Sequence, residues 1–161
     1  MRGFASRKSV WLQVLMGLSL GQILLGLPPA DASDIAGIWL GHDHDGHVEI
    51  KPCGSAMCGY IISILDPTIP ASPHDVYNEN PQLRARPICE LQVLGDLKKE
   101  NDEWDGWVYD PRRGKSFSVD VKLQDANTLL VHGYRAIKFM GETKVWTRAS
   151  KNIQRCPRPA S

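Results

Sequence analysis

The chain has 161 residues, 42% hydrophobic and 23% charged, with 19 basic against 18 acidic residues and a formal net charge of +1. That balance argues against a nucleic-acid partner, because a phosphate-binding surface carries a large basic excess. The length suits one domain with a single core.

Arg2, Arg7 and Lys8 form a basic head, residues 10–27 are largely apolar, and Ala30-Asp31-Ala32 has the small-x-small pattern that a signal peptidase accepts. Residues 1–32 therefore read as a cleaved signal peptide, and residues 33–161 as the mature domain, periplasmic or secreted. A retained membrane anchor is the competing reading. Against it, Gly17, Gly21, Gly26 and Pro28-Pro29 interrupt an apolar run close to the ~18 residues a span requires. No stable membrane span is expected after cleavage, and the mature part carries a net charge of about −1.

All four cysteines, Cys53, Cys58, Cys89 and Cys156, lie in the mature part, an even number in an oxidising compartment. Two disulfides are expected. The short, glycine-containing spacing favours Cys53 with Cys58, leaving Cys89 with Cys156 to tie down the tail, although sequence leaves all three pairings open. Cys-x4-Cys lacks the two-residue spacing of redox motifs, and a zinc site with one close cysteine pair is no better supported.

Residues 35–40 form a short apolar run that contains Gly37-Ile38-Trp39. Asp45-Gly46 then offers the positive φ of a tight hairpin. Val48 and Ile50 alternate with Glu49 and Lys51, and Tyr60, Ile62 and Ile64 make a third strand that ends at Asp66-Pro67. Residues 66–87 hold five of the eleven prolines and read as a long loop. The apolar pattern resumes over 88–97, the polar stretch 98–103 turns it into 104–109, and Asp110-Pro111-Arg112-Arg113-Gly114 is a turn. Phe117, Val119, Val121 and Leu123 form the cleanest alternation in the chain. Strands over 128–134 and 142–147 complete about eight, joined mostly by short connections. No amphipathic helix of convincing length appears. The expected fold is all-β, a single antiparallel up-and-down barrel with a long Pro-rich loop.

Gly37-Ile38-Trp39 near the start and Arg148 at the end of the last strand resemble the lipocalin or calycin arrangement, in which a terminal Arg packs across the first-strand Trp at the closed end of the barrel. The role this implies for Trp39 and Arg148 is structural. Further pieces are Asp45-Gly46-x-Val48-x-Ile50-x-x-Cys53, Cys58-Gly59-x-Ile61 and Asn80-Pro81-x-Leu83-Arg84-x-Arg86-Pro87-Ile88-Cys89. They continue with Trp104-x-Gly106-x-Val108-Tyr109-Asp110-Pro111-x-x-Gly114-Lys115, Leu129-x-Val131-x-Gly133-Tyr134 and Trp146-Thr147-Arg148. As a set they resemble a widespread bacterial family of small secreted proteins known only as a domain of unknown function with a lipocalin-like barrel. The resemblance implies fold and export and carries no reaction. Glu90 stands where that pattern has glycine.

His42, Asp43, His44, Asp45 and His47 are the most concentrated ligand set. On an extended strand His42 and His44 would share a face and could bind a metal with His47; the alternative is a polar hairpin tip. Asn80, Arg84 and Arg86 in the long loop, with Tyr109 and Tyr134 from the strands, are the candidate ligand-binding residues. Arg84 and Arg86 could grip a carboxylate or phosphate at the barrel mouth, or pin the loop through Glu79, Asp66 or Asp110. Asp110 and Gly114 read as turn residues rather than acid-base chemistry. No catalytic constellation or cofactor motif stands out, so an enzyme has the least support. Four tryptophans in the mature chain predict a narrow cavity. The leading function is an exported protein binding a small, partly apolar molecule at the barrel mouth. An envelope structural or interaction protein with a filled barrel is the alternative.

Overall fold

A computed structural model describes residues 35–68 and 73–156; the expected leader, 1–32, lies outside the described residues. Eight strands run in chain order: β1 (Gly37–Leu40), β2 (Gly46–Cys53), β3 (Ala56–Ile64), β4 (Gln92–Glu100), β5 (Glu103–Asp110), β6 (Lys115–Asp125), β7 (Thr128–Tyr134) and β8 (Glu142–Arg148). Each pairs antiparallel with the next, and β8 returns to β1 with Trp39 opposite Arg148 and Leu40 opposite Thr147, closing the barrel. Closure leaves no free sheet edge. Among the described residues the helical content is two single 3-10 turns, Pro81–Leu83 and Lys138–Met140, and no helix is long and apolar enough to cross a membrane.

Two strand boundaries differ from the sequence pattern. β4 starts at Gln92 rather than residue 88, because Glu90 adopts φ 63°, a left-handed conformation that interrupts an extended ladder and favours glycine. β4 then runs to Glu100, so the turn expected over 98–103 contracts to Asn101-Asp102, with Asn101 at φ 58°. The first hairpin also differs. Its left-handed residue is His44 at φ 58°, not Gly46. Gly46 is required for another reason: a Cβ there would lie 2.5 Å from the Ser63 carbonyl oxygen across the β2–β3 ladder.

Inward-facing residues fill the closed end. Trp39, Ile50, Leu94, Leu97, Val119, Val121 and Leu129 are almost wholly buried, with Trp104 among them. The Arg148 guanidinium lies 4.1 Å from the centre of the Trp39 ring and donates to the Ala36 carbonyl at 2.9 Å, while the Trp39 indole N–H donates to the Ile35 carbonyl at 2.9 Å. This contact seals the floor from water.

The disulfides are Cys53–Cys58 and Cys89–Cys156. The first closes the β2–β3 hairpin. The second holds the C-terminal segment along the outer wall, where the Cys156 N–H donates to the Ile62 carbonyl at 2.7 Å and Arg155 pairs with Glu49. Both are consistent with an extracytoplasmic protein.

Candidate functional site

Alternation places the same strands' upper residues around a space rather than a core. An open cavity of about 1280 Å³ occupies the end of the barrel formed by the β1–β2, β3–β4, β5–β6 and β7–β8 connections. Val48, Ile61, Val108, Phe117, Val131 and Trp146 give it apolar walls. The narrow cavity expected from four tryptophans is therefore corrected. Trp39 and Trp104 sit in the floor. Trp107, opposite Gly95 and Ser118, lies on the outer face and donates its indole N–H to Asp96 at 3.0 Å. Trp146 alone of the four lines the cavity.

The rim is charged but largely self-neutralised. Arg112 lies between Asp43, at 2.9 Å, and Asp45, joining the β5–β6 turn to the β1–β2 turn. Arg113 meets Asp110 at 3.4 Å, and Lys144 pairs with Glu142. Asp110 also accepts the Arg112 backbone N–H at 3.0 Å, a turn-capping bond. Gly114 takes φ 64°, and a Cβ on it would overlap the Tyr77 carbonyl oxygen at 1.7 Å, so only glycine lets the turn meet the long loop.

The long loop is anchored by Asp75, whose carboxylate is fully buried. It accepts from Tyr109 at 2.7 Å and Asn78 at 2.7 Å, and pairs with Arg86 at 2.8 Å, whose guanidinium lies over the Tyr109 ring at 5.1 Å. Burial and the neighbouring carboxylate push the Tyr109 phenol up from its usual pKa. Asn80 caps the 3-10 turn by accepting from the Gln82 N–H at 3.0 Å, and Arg84 donates to the Asn78 carbonyl at 2.8 Å. Arg84 and Arg86 thus have separate partners within the loop, and Arg86's is Asp75 rather than the Glu79, Asp66 or Asp110 considered from sequence. Of the five candidate binding residues, Tyr109 and Tyr134 border the cavity, whereas Asn80, Arg84 and Arg86 do not.

The histidines are separated by the hairpin's geometry. Residues 41–45 form a turn, not an extended strand, so His42 and His44 do not share a strand face. His42 Nε2 lies 2.9 Å from Asp43, His44 is exposed at the tip, and His47 is buried in β2, where desolvation lowers its pKa. Among the described residues no group of three or more His, Cys, Asp or Glu side chains has a metal-holding arrangement.

One cluster was not singled out from sequence. On the outer face of β5–β7, Asp105 is opposite Asp120, which is opposite His132. Lys138 folds down from the β7–β8 connection to lie 2.8 Å from both Asp120 and Glu103, and His132 bonds the Lys138 carbonyl at 2.7 Å and Thr143 at 2.8 Å. A hydrogen bond with Asp120, then burial, raises the Asp105 pKa to about 6. The cross-strand position of two carboxylates was readable only once the β5–β6 register was known.

Residues 37–148 match a family model described as "Uncharacterized protein conserved in bacteria (DUF2147)". The chain is also similar to a solved structure described as "Protein HP1028 from the human pathogen Helicobacter pylori belongs to the lipocalin family". The two share 26% identity and a TM-score of 0.65, over 74% of this chain and 86% of that one. No curated protein matches.

Proposed function

Since the chain belongs to that family of bacterial proteins, whose description names no reaction, we propose from its own geometry that it is an exported protein that takes up a small, partly apolar molecule. Residues 1–32 serve as its leader and are removed on export. The open cavity of about 1280 Å³ above a filled floor carries this reading, because a concave space with predominantly apolar walls is what a small-molecule site needs. The lipocalin-family neighbour supports it by analogy of fold. The alternative of a filled barrel requires side chains where the upper half is open. Tyr109 and Tyr134 are the sequence-derived candidates that remain at the cavity.

Native mass spectrometry of the mature protein, purified from the periplasm in which it was expressed, tests the proposal. A bound small molecule at one per chain is expected, and it should be lost in Val108→Trp, which fills the cavity from β5. A chain that emerges empty and binds no apolar fluorophore would overturn the reading.

A further inference from the structure

The strand period that puts Val131 and Gly133 inside the barrel also puts Arg135, the first residue beyond β7, on the cavity side. Its guanidinium lies 5.6 Å from the ring centre of Phe117, a wall residue. The other basic groups around this mouth are matched: Arg112 by Asp43 and Asp45, Arg113 by Asp110, Lys144 by Glu142, and Lys138 by Glu103 and Asp120. Among the described residues Arg135 has no acidic partner within salt-bridge distance. It is a cation laid on an aromatic wall where water meets an apolar hollow. Below it the wall continues through Val131 to Trp146.

We infer that Arg135 is the counter-ion for the anionic head of an amphiphilic ligand, a carboxylate or a phosphate monoester, whose alkyl part runs down the cavity toward Trp146. This rests on the reading of the cavity as a small-molecule site and adds the chemistry of the ligand. A guanidinium presents a planar fork of donors that matches two oxygens of either head. Stacking on Phe117 restricts that fork before the ligand arrives, so less side-chain freedom is lost on binding. The head stays at the solvent-facing mouth while the tail leaves water, as an amphiphile requires.

Displacement of the uncharged fluorophore N-phenylnaphthylamine by a matched series tests the inference: dodecanoate, dodecyl phosphate, dodecanol and dodecylamine. In the unaltered mature protein at least one of the two anions should compete about tenfold better than dodecanol, with dodecylamine weakest. The ranking of the two anions identifies the head. In Arg135→Gln the preference over dodecanol should fall to about one, and Arg135→Lys should retain part of it. Lys151→Gln, at an exposed position beyond β8 and outside the cavity lining, should leave the preference in place, and thermal unfolding checks that each variant is folded. Equal competition by dodecanol in the unaltered protein, or an anion preference that survives Arg135→Gln, overturns the assignment while leaving the apolar site standing. Failure of the fluorophore to bind a chain that native mass spectrometry shows to be empty overturns both.

Discussion

Asp75 shows how one residue can hold a long loop. A buried carboxylate is tolerable because Arg86, Tyr109 and Asn78 satisfy its charge and lone pairs. Arg86→Ala removes the cation and leaves the charge buried, so urea unfolding should register a loss of about 3 kcal/mol; a loss near zero would show that water replaces the guanidinium without cost. Asp105 behaves in the opposite sense. Its pKa is raised to about 6 by the hydrogen bond with Asp120 and then by burial, so the folded state holds a proton that the unfolded chain releases at lower pH. The resulting stability is fully present below the ordinary carboxyl value and is lost as pH rises through about 6. Asp105→Asn should therefore gain on the wild type across that window and hold its advantage above it. Thermal midpoints of the two proteins measured at successive pH values give the test, and a constant difference would rule the shared proton out.

At the level of elements, the strands and most turns were legible in the sequence because alternation and Asp, Asn, Pro and Gly positions report local backbone preference. The departures fall where a tertiary contact overrides that preference. Glu90 takes a glycine-like φ in a segment bonded to Ile61, and the register of β4 shifts against both its neighbours. The two disulfides constrain elements very differently: Cys53–Cys58 spans five positions, whereas Cys89–Cys156 spans 67. Loop-closure entropy makes the longer bridge worth about 4 kcal/mol and the shorter about 2. Paired serine substitutions should follow that order in denaturant midpoint. Equal losses would mean that strain or local packing, rather than chain entropy, governs both.

Across the whole molecule, a filled floor and an open mouth occupy opposite ends of the barrel, since Trp39 and Arg148 close the floor while the wall above them surrounds an open cavity. The candidate site was legible only in outline. Of the five candidate binding residues Tyr109 and Tyr134 border the cavity, whereas Asn80, Arg84 and Arg86 bond within the loop, and no local pattern marks Asp75 or Arg135. Strand order, closure and the even cysteine count could be read from the residues, because alternation and short connections constrain neighbours along the chain, whereas the Trp–Arg floor was implied only by the resemblance of the two chain ends to the lipocalin arrangement. The size of the cavity, and which cation at its mouth lacks an acidic partner among the described residues, follow only from the folded chain. Cavity size depends on how far along the barrel axis each tryptophan falls and on which face, and charge balance depends on pairs such as Arg112 with Asp45, 67 residues apart. Neither is a property of local sequence.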